Sequence, residues 1–150
     1  MIDFERLRVS KWVEENVRSL GVTNQKLLTK KPWGMAVAFC ESKLGQMSLA
    51  IIDAGGFCSR HYHAHKANVF TVYAGTLAVH IWDGFDEKQA TRPPDRVLTV
   101  ERGSSIVVPP NVVHLMTATA NCLCVESYFN PLGGKVCTKD IHRLTTGGKN

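Results

Sequence analysis

The stretch that decides the fold reads Arg60-His61-Tyr62-His63-Ala64-His65-Lys66, with a histidine at every second position. Successive side chains of an extended strand point to opposite faces, so residues two apart share one face. A strand through this stretch would therefore present three imidazoles on one side. Neutral imidazole is the commonest metal ligand in proteins. A further histidine, His114, follows later in the chain, and together these residues indicate a metal site.

Length and composition are those of an ordinary globular protein. With 150 residues and 44% hydrophobic content, one domain spanning residues 1–150 is the simplest expectation. The formal net charge is +5, but Lys and Arg are scattered, and no basic run alternates with aromatic residues as on a nucleic-acid surface. We therefore expect no nucleic-acid partner and expect a small polar or anionic metabolite instead.

The sequence also lacks the patterns of a membrane or secreted protein. No apolar run approaches the ~18 residues of a membrane span, and the charged opening MIDFERLRVS does not look like a signal peptide. Five cysteines without a Cys-x-x-Cys pair fit free thiols in or next to the core. A cytoplasmic location without membrane contact is the resulting expectation.

The order of secondary structure favours a β-rich fold. Ser10 to Leu20 is the best helix candidate, since Ser10 can cap its start and Gly21 can end it. After Pro32, short β-like runs separated by Gly and Pro clusters are typical of a sandwich or barrel. The predicted strands are Gly34–Glu41, Gln46–Asp53, Phe57–His63, Asn68–Ala74, Thr76–Trp82, Val97–Val100, Ser105–Val108, Val112–Ala118 and Cys122–Phe129. The tail Thr145–Asn150 is expected to fray.

Two glycine-anchored segments follow one another in this β-rich region. The first consists of Gly55, five residues, His61-x-His63, four residues, Asn68, six residues and Gly75. The second consists of Gly103, five residues, Pro109-x-Asn111, two residues, His114, three residues and Ala118. In order and spacing, the pair resembles the signature of the cupin superfamily, G-x5-H-x-H-x3-4-E-x6-G followed by G-x5-P-x-G-x2-H-x3-N.

The resemblance implies an all-β fold, a cupin-type jelly-roll β-barrel over residues 32–145, with a short N-terminal helical extension over 1–31. It also implies that His61, His63 and His114 converge on a metal ion inside the barrel. Where the family usually has Gly, this chain has Asn111, and Asn is the non-glycine residue that best tolerates the left-handed backbone region. The alternative is that the histidines are unrelated surface or core residues.

Asn68 departs from the family pattern, which commonly has Glu there as the fourth metal ligand. An amide could coordinate weakly through its oxygen, or not at all. Three neutral ligands would then leave coordination positions open for water or substrate. The expected cofactor is a divalent metal ion (Zn, Mn, Fe or Ni), and the substitution leaves its identity and the catalytic competence of the site open.

Two looser resemblances point to carbohydrate isomerases. The run His61-x-His63-x-His65-Lys66 is similar to the motif of cupin-type lyxose isomerases, which implies a substrate contact for Lys66. The segments Lys31-Pro32-Trp33-Gly34 and Asp140-Ile141-His142-Arg143-Leu144 are similar to the type II mannose-6-phosphate isomerase domain. A solvated charge is the other interpretation of Lys66.

Three further side chains are candidates for supporting or catalytic roles. His65 falls outside the family spacing and is expected behind the metal ligands or at the rim of the site. His80 could line the barrel interior or be a hydrogen-bonded structural residue. Glu126 alternates with Cys124 on a late strand and could act as a general base if it faces inward.

Three functions are therefore considered. The first is a metal-dependent sugar or sugar-phosphate isomerase or epimerase, in which the ion polarises neighbouring oxygens and a nearby base moves the proton. The second is a mononuclear iron dioxygenase with three histidine ligands. The third is a non-catalytic binding module for a small molecule. A homodimer is also expected, and the Ser10–Leu20 helix would suit the contact.

Overall fold

The computed structural model describes residues 2–84 and 91–150, and strands are the main regular structure among them. The helical elements are α1 (Phe4–Leu7), α2 (Lys11–Ser19) and a 3-10 turn (Gln25–Leu27). The strands are β1 (Leu28–Lys31), β2 (Gly34–Glu41), β3 (Gly45–Ile52), β4 (Gly56–Phe57), β5 (His61–Tyr62), β6 (Ala67–Ala74), β7 (Thr76–Trp82), β8 (Arg96–Glu101), β9 (Ser105–Val108), β10 (Val113–Thr117), β11 (Cys122–Phe129), β12 (His142–Arg143) and β13 (Gly148–Lys149). Within the described ranges, no helix has the length and apolar character needed to cross a bilayer.

The strands form two antiparallel sheets. The first has the order β1-β2-β3-β11-β6-β9, and the second contains β12-β5-β10-β4-β13, with β7 paired to β10 and β8 paired to β7. The core between the sheets includes Ile52, Phe70, Leu77, Val79 and Met116. This jelly-roll arrangement, with a short helix at its amino end, confirms the predicted fold class.

The predicted strand Phe57–His63 is instead two short strands, β4 and β5. The residues between them bond to different partners, because the Cys58 N–H donates to the Met116 carbonyl while the Arg60 N–H donates to the Thr145 hydroxyl. Both short strands still pair with β10, but the register shifts by one residue between them, with Phe57 opposite Thr117 and His61 opposite His114. Such a break depends on distant residues, so local alternation cannot show it.

Helix α2 packs its apolar side against the first sheet. Ser10 caps the helix by accepting the Val13 N–H, and its hydroxyl donates to Asp53. Val13 and Val17 are buried in a second core cluster together with Met35. Because the apolar side of the helix is covered within the chain, it is not available for the expected dimer contact. The homodimer itself stays a prediction.

Both ends of the chain contain strands that the sequence did not predict. The first 31 residues are not only helical, since β1 pairs with β2 and extends the first sheet. The tail was expected to fray, but β13 pairs with β4, with Gly148 opposite Phe57. The Asn150 N–H also donates to the Gly55 carbonyl at 3.0 Å. Gly55 has φ +77°, and a Cβ there would lie 2.6 Å from the Asn150 carbonyl oxygen, so the close approach requires glycine.

Asn111 adopts the left-handed conformation that the sequence predicts, with φ 64°. Its backbone N–H donates to the carbonyl of His63 at 2.7 Å. This bond ties the turn of the second glycine-anchored segment to the histidine stretch of the first. The turn therefore helps to hold the two segments together.

The cysteines divide into two groups. Cys58, Cys122 and Cys124 are buried, whereas Cys40 and Cys137 are exposed, which corrects the expectation that all five lie in or beside the core. Desolvation by burial raises the pKa of Cys58 to about 12 and the pKa of Cys122 to about 11. Burial raises the pKa of Cys124 as well, and by more than it raises that of Cys58 or Cys122.

We expect two of the five thiols to react with Ellman's reagent in the native protein at neutral pH, and all five after unfolding in guanidinium. The thiolate is the reactive form, and burial suppresses it in the other three cysteines. The double variant Cys40→Ser/Cys137→Ser should show no fast thiol in the native state. Fast reaction of a third thiol in the native wild-type protein would contradict this burial pattern.

Candidate metal centre

Three of the predicted residues meet in the barrel. His61 in β5 and His114 in β10 are direct cross-strand partners. His63 follows the end of β5, where its carbonyl accepts the Asn111 N–H. Strand pairing thus brings together histidines from two distant parts of the sequence.

The three imidazoles form a compact buried cluster. Their exposed fractions are 4% for His61, 2% for His63 and 1% for His114. One ring nitrogen from each lies within 4.8 Å of the others. The ring centroids are 4.4 Å apart for His61 and His114, 5.0 Å for His61 and His63, and 5.6 Å for His63 and His114.

Backbone carbonyls determine which nitrogen of each ring carries the hydrogen. Nδ1 of His61 lies 2.6 Å from the Ser59 carbonyl oxygen, and Nδ1 of His114 lies 2.9 Å from that of Val112. Nδ1 of His63 bonds to the Asp140 carbonyl. Since a carbonyl oxygen can only accept, each Nδ1 must donate its hydrogen. In a neutral ring, Nε2 then has a free lone pair.

Burial keeps these rings neutral at physiological pH. Desolvation lowers the pKa of His61 and of His63 to about 4, and the pKa of His114 to about 3. The positive charge of Lys66 lowers the pKa of His61 and of His63 further. The cluster therefore presents neutral nitrogen donors, the form in which histidine binds metals.

The donor set fits a divalent metal ion. Nε2 of His61 and Nε2 of His63 are buried and have no hydrogen-bond partner among the described residues. Buried polar atoms are normally paired, because leaving one unsatisfied is unfavourable. An ion bound by His61, His63 and His114 would satisfy these nitrogens. Carbonyl-oriented histidines are also typical of metal sites.

Asn68 lies beside the cluster and is fully buried. Its Nδ2 donates to Oε1 of Glu126 at 3.1 Å and lies 3.5 Å from Nε2 of His114. Its Oδ1 is buried and unpaired within the described part of the chain. Asn68 is therefore adjacent to the histidine nitrogens, and its expected role as a weak fourth ligand stays a prediction.

Glu126 faces the interior, as its proposed role as a base requires. Its Oε1 accepts two hydrogen bonds, one from Asn68 and one from the Tyr128 hydroxyl at 2.6 Å. Tyr128 also contacts His63 edge-on, with ring centroids 5.3 Å apart. Burial and then the Glu126 charge raise the pKa of Tyr128 well above its usual value, so the phenol keeps its hydrogen. An aromatic residue on such a strand is more often part of the core, so the sequence did not predict a role for Tyr128 in the site, although its position two residues after Glu126 was a usable signal.

Lys66 is buried rather than solvated, with an exposed fraction of 3%. Its Nζ donates to the Cys137 carbonyl at 3.2 Å and lies 4.2 Å from the centroid of the Tyr128 ring. Burial lowers the pKa of Lys66, and the charges of Asp140 and Glu126 oppose that shift. The ammonium group of Lys66 therefore lies inside the barrel beside Tyr128 rather than in solvent.

His65 does not share the position of the other two histidines in its stretch. Strand β5 ends at Tyr62, so the alternation does not continue, and His65 is exposed. Its backbone N–H and that of Ala64 donate to the two carboxylate oxygens of Asp140, each at 2.9 Å. Asp140 thus holds this bend through its side chain and His63 through its carbonyl. No local pattern in the sequence indicated that role.

His80 lies on the outer side of β7. The core residues of that strand are Leu77, Val79 and Ile81, so the alternate position of His80 points away from the interior. Its ring stacks on Trp82, with centroids 6.3 Å apart. The expectation that His80 could line the barrel interior is therefore corrected.

Two neighbouring cavities give access to the cluster. A cavity of about 290 Å³ is lined in part by His61, and one of about 190 Å³ is lined in part by His63 and Lys66. Both are small among ligand pockets, which usually measure ~300–1,000 Å³. The residues common to both walls are Lys31, Glu126, Tyr128, Ile141 and Arg143.

Comparison with known proteins supports the resemblance found in the sequence. The family model described as Cupin matches residues 38–137, which include the three histidines. No curated protein matches the chain.

Solved structures share the fold at low sequence identity. KdgF from Halomonas sp. has a TM-score of 0.57 and 13% identity, covering 69% of this chain and 84% of its own. The nucleoside dehydratase Pac13 from Streptomyces has a TM-score of 0.59 and 8% identity, covering 79% of this chain and 84% of its own. Oxalate decarboxylase from Bacillus subtilis has a TM-score of 0.61 and 16% identity, covering 78% of this chain but 29% of its own. At these identities, the likeness is one of fold.

We expect the double variant His61→Ala/His114→Ala to lose metal binding, because it removes two of the three nitrogen donors. The fall in affinity should exceed the ~10- to 100-fold typical of losing a residue that only supports a ligand. Elemental analysis after dialysis, followed by competition with a chelator of known affinity, measures the effect. His65→Ala is the matched control and should keep full metal content. Full stoichiometry in the double variant would contradict the site.

Proposed function

The chain belongs to the cupin family, and we propose that it is a metal-dependent sugar or sugar-phosphate isomerase or epimerase. Histidines 61, 63 and 114 would hold the ion, with Asn68 beside them. A bound divalent ion supplies Lewis-acid polarisation of adjacent hydroxyl and carbonyl oxygens. The residues around the cavities would bind the small substrate and move its proton.

The observation that most favours this proposal is the carboxylate of Glu126 in the cavity wall next to the histidine cluster. Both of its hydrogen bonds among the described residues end on Oε1, where Asn68 and Tyr128 donate. Oε2 therefore remains available to accept a proton. A positioned carboxylate within reach of a polarised substrate is the usual arrangement for general-base catalysis.

In the proposed reaction, Glu126 removes the proton from the carbon next to the substrate carbonyl. The electron pair of that C–H bond moves toward the carbonyl group. In an isomerisation, Glu126 then gives the proton to the neighbouring carbon, while the hydroxyl proton of the first carbon passes to the former carbonyl oxygen. In an epimerisation, a proton from water reaches the opposite face of the first carbon, and Glu126 releases its own proton to solvent. Tyr128 keeps the carboxylate in place by donating to Oε1, and Lys66 contributes a positive charge to the same wall.

A second candidate, the iron dioxygenase, is favoured by one specific observation. Among the described residues, the cluster of possible ligands contains three histidines and no carboxylate. Three neutral ligands leave positions for O₂ and substrate together. Oxygen uptake by the Fe(II)-loaded protein with thiol or diketone substrates would favour this candidate over the isomerase. Metabolite binding without turnover in either assay would indicate the non-catalytic binding module.

We expect Glu126→Gln to slow proton transfer by ~10²- to 10⁴-fold, the range typical of losing a general base. The measurement is NMR-detected exchange of the carbon-bound hydrogen with solvent deuterium, using the metal-loaded protein and a panel of aldoses, ketoses and their phosphates. Removal of the metal with a chelator should abolish exchange, and adding it back should restore exchange.

The matched control is Glu101→Gln, which changes an exposed carboxylate on β8 and should leave exchange unaffected. Metal content is measured in every variant, so that a loss of the ion is not mistaken for the loss of a base. Unchanged exchange in Glu126→Gln at full metal content would remove Glu126 from the proposed mechanism.

A further inference from the structure

Arg143 is fixed by strand pairing beside a candidate metal ligand. It lies in β12, where its Cα is the direct antiparallel partner of His61. Directly opposed residues project to the same face of a sheet, with Cβ atoms ~4.5–5.5 Å apart. The Arg143 side chain therefore leaves the sheet on the side of the histidine cluster, and it lines both cavities.

Lys31 supplies a second cation at the same place. It is the last residue of β1 and also lines both cavities. Lys66 adds a third cation to the smaller cavity, although its Nζ already donates to a carbonyl. Against these three cations, the lining of the smaller cavity contains one carboxylate, that of Glu126.

Arg143 and Lys31 differ from several other cations of this chain. Neither forms an ion pair among the described residues. By contrast, three arginines on the outer surface have carboxylate partners at 2.7–2.9 Å: Arg18 with Glu14, Arg92 with Asp95, and Arg96 with Asp83. Asp140, the acidic residue three positions before Arg143, accepts two backbone N–H groups instead. Two cations without an acidic partner therefore border the cavities.

We propose that Arg143 and Lys31 form a subsite for an anionic group of the substrate, a carboxylate or a phosphate. A guanidinium offers paired donors that match either group, and an ammonium adds a point charge. Partly enclosed walls of one charge sign also concentrate oppositely charged ligands. This inference rests on the proposed function, since it assigns the substrate class of the same site.

The pairing of Arg143 with His61 also determines the orientation of the bound substrate. The anionic group lies against Arg143 and Lys31, and the hydroxyl and carbonyl groups face the histidines and Glu126. The small cavities limit the ligand to about the size of a single sugar unit. A sugar acid or a sugar phosphate has both chemical features in one small molecule, whereas a neutral sugar lacks the anion.

The test compares binding of four probes to the metal-loaded protein by isothermal titration calorimetry. The probes are a hexuronate, a hexose 6-phosphate, the neutral hexose and inorganic phosphate. Tighter binding of the anionic sugars than of the neutral hexose is expected. Comparing the hexuronate with the hexose phosphate then identifies which anion the subsite prefers. Equal binding of all three sugars would overturn the proposal.

The variants are Arg143→Gln and Lys31→Gln, with Arg102→Gln as an exposed control between β8 and β9. We expect Arg143→Gln to weaken binding of the preferred anion by ~10- to 100-fold, the value of a hydrogen bond to a charged group. Binding of the neutral hexose should not change. Arg143→Lys, which keeps the charge, should recover part of the loss. Anion binding that is the same in Arg143→Gln and wild type would overturn the proposal.

The outcomes separate this inference from the proposed function. Thermal melting and metal content are measured in each variant, so a folding defect or a lost ion is recognised. If anion binding depends on Arg143 but no substrate undergoes proton exchange, the subsite stands and the isomerase proposal fails. If exchange occurs equally well with neutral and anionic sugars, the isomerase proposal stands and the subsite fails.

Discussion

The site depends on three backbone carbonyls, those of Ser59, Val112 and Asp140, each of which accepts the Nδ1 hydrogen of one buried histidine. These bonds orient the rings and leave the Nε2 lone pairs inside the barrel. Burying polar atoms without partners is unfavourable, on the order of 1–3 kcal/mol for each. Burial also disfavours protonation of the rings, so they cannot relieve the cost by becoming charged. A cation at the centre would offset that cost for His61 and His63, whose Nε2 atoms have no hydrogen-bond partner among the described residues, and this is the physical reason that the donor set fits a metal.

The three carbonyls come from different parts of the chain, so the site needs the whole β-framework. Ser59 precedes β5, Val112 precedes β10, and Asp140 lies in the segment that leads to β12. The carboxyl-terminal segment is therefore part of the site. The Asp140 carbonyl orients His63, and β12 places Arg143 opposite His61. Removing these residues would take away one wall and one ring support together, because a single stretch supplies both.

Much of this arrangement can be predicted from the sequence, because fixed spacings and alternation reflect local geometry. The left-handed Asn111 follows from such a signal, and the resemblance to the cupin signature implies the convergence of His61, His63 and His114. Alternation alone allowed Glu126 to face inward without requiring it. The role of His65 could not be predicted in this way. Alternation places it with His61 and His63, but the strand ends at Tyr62 and the following N–H groups bond to Asp140, more than 70 residues away. The ordered tail and the pairing of Arg143 likewise depend on contacts between distant residues, which no local pattern contains.

The main departure from the family pattern is that the carboxylate of the site belongs to Glu126 and not to position 68. The neighbouring residues are consistent with this arrangement. Asn68 on β6 pairs with Tyr128 on β11, and Glu126 lies two residues before that tyrosine on the same face. A carboxylate at position 68 would lie next to Glu126, and two adjacent like charges disfavour each other's ionisation. An amide avoids this repulsion and donates to Glu126 instead. In the proposed reaction, this separates two roles, because the neutral histidines hold the ion while the carboxylate on the neighbouring strand accepts the proton. Asn68 and Glu126 therefore form a matched pair, and replacing the amide by a second acid would disturb both roles.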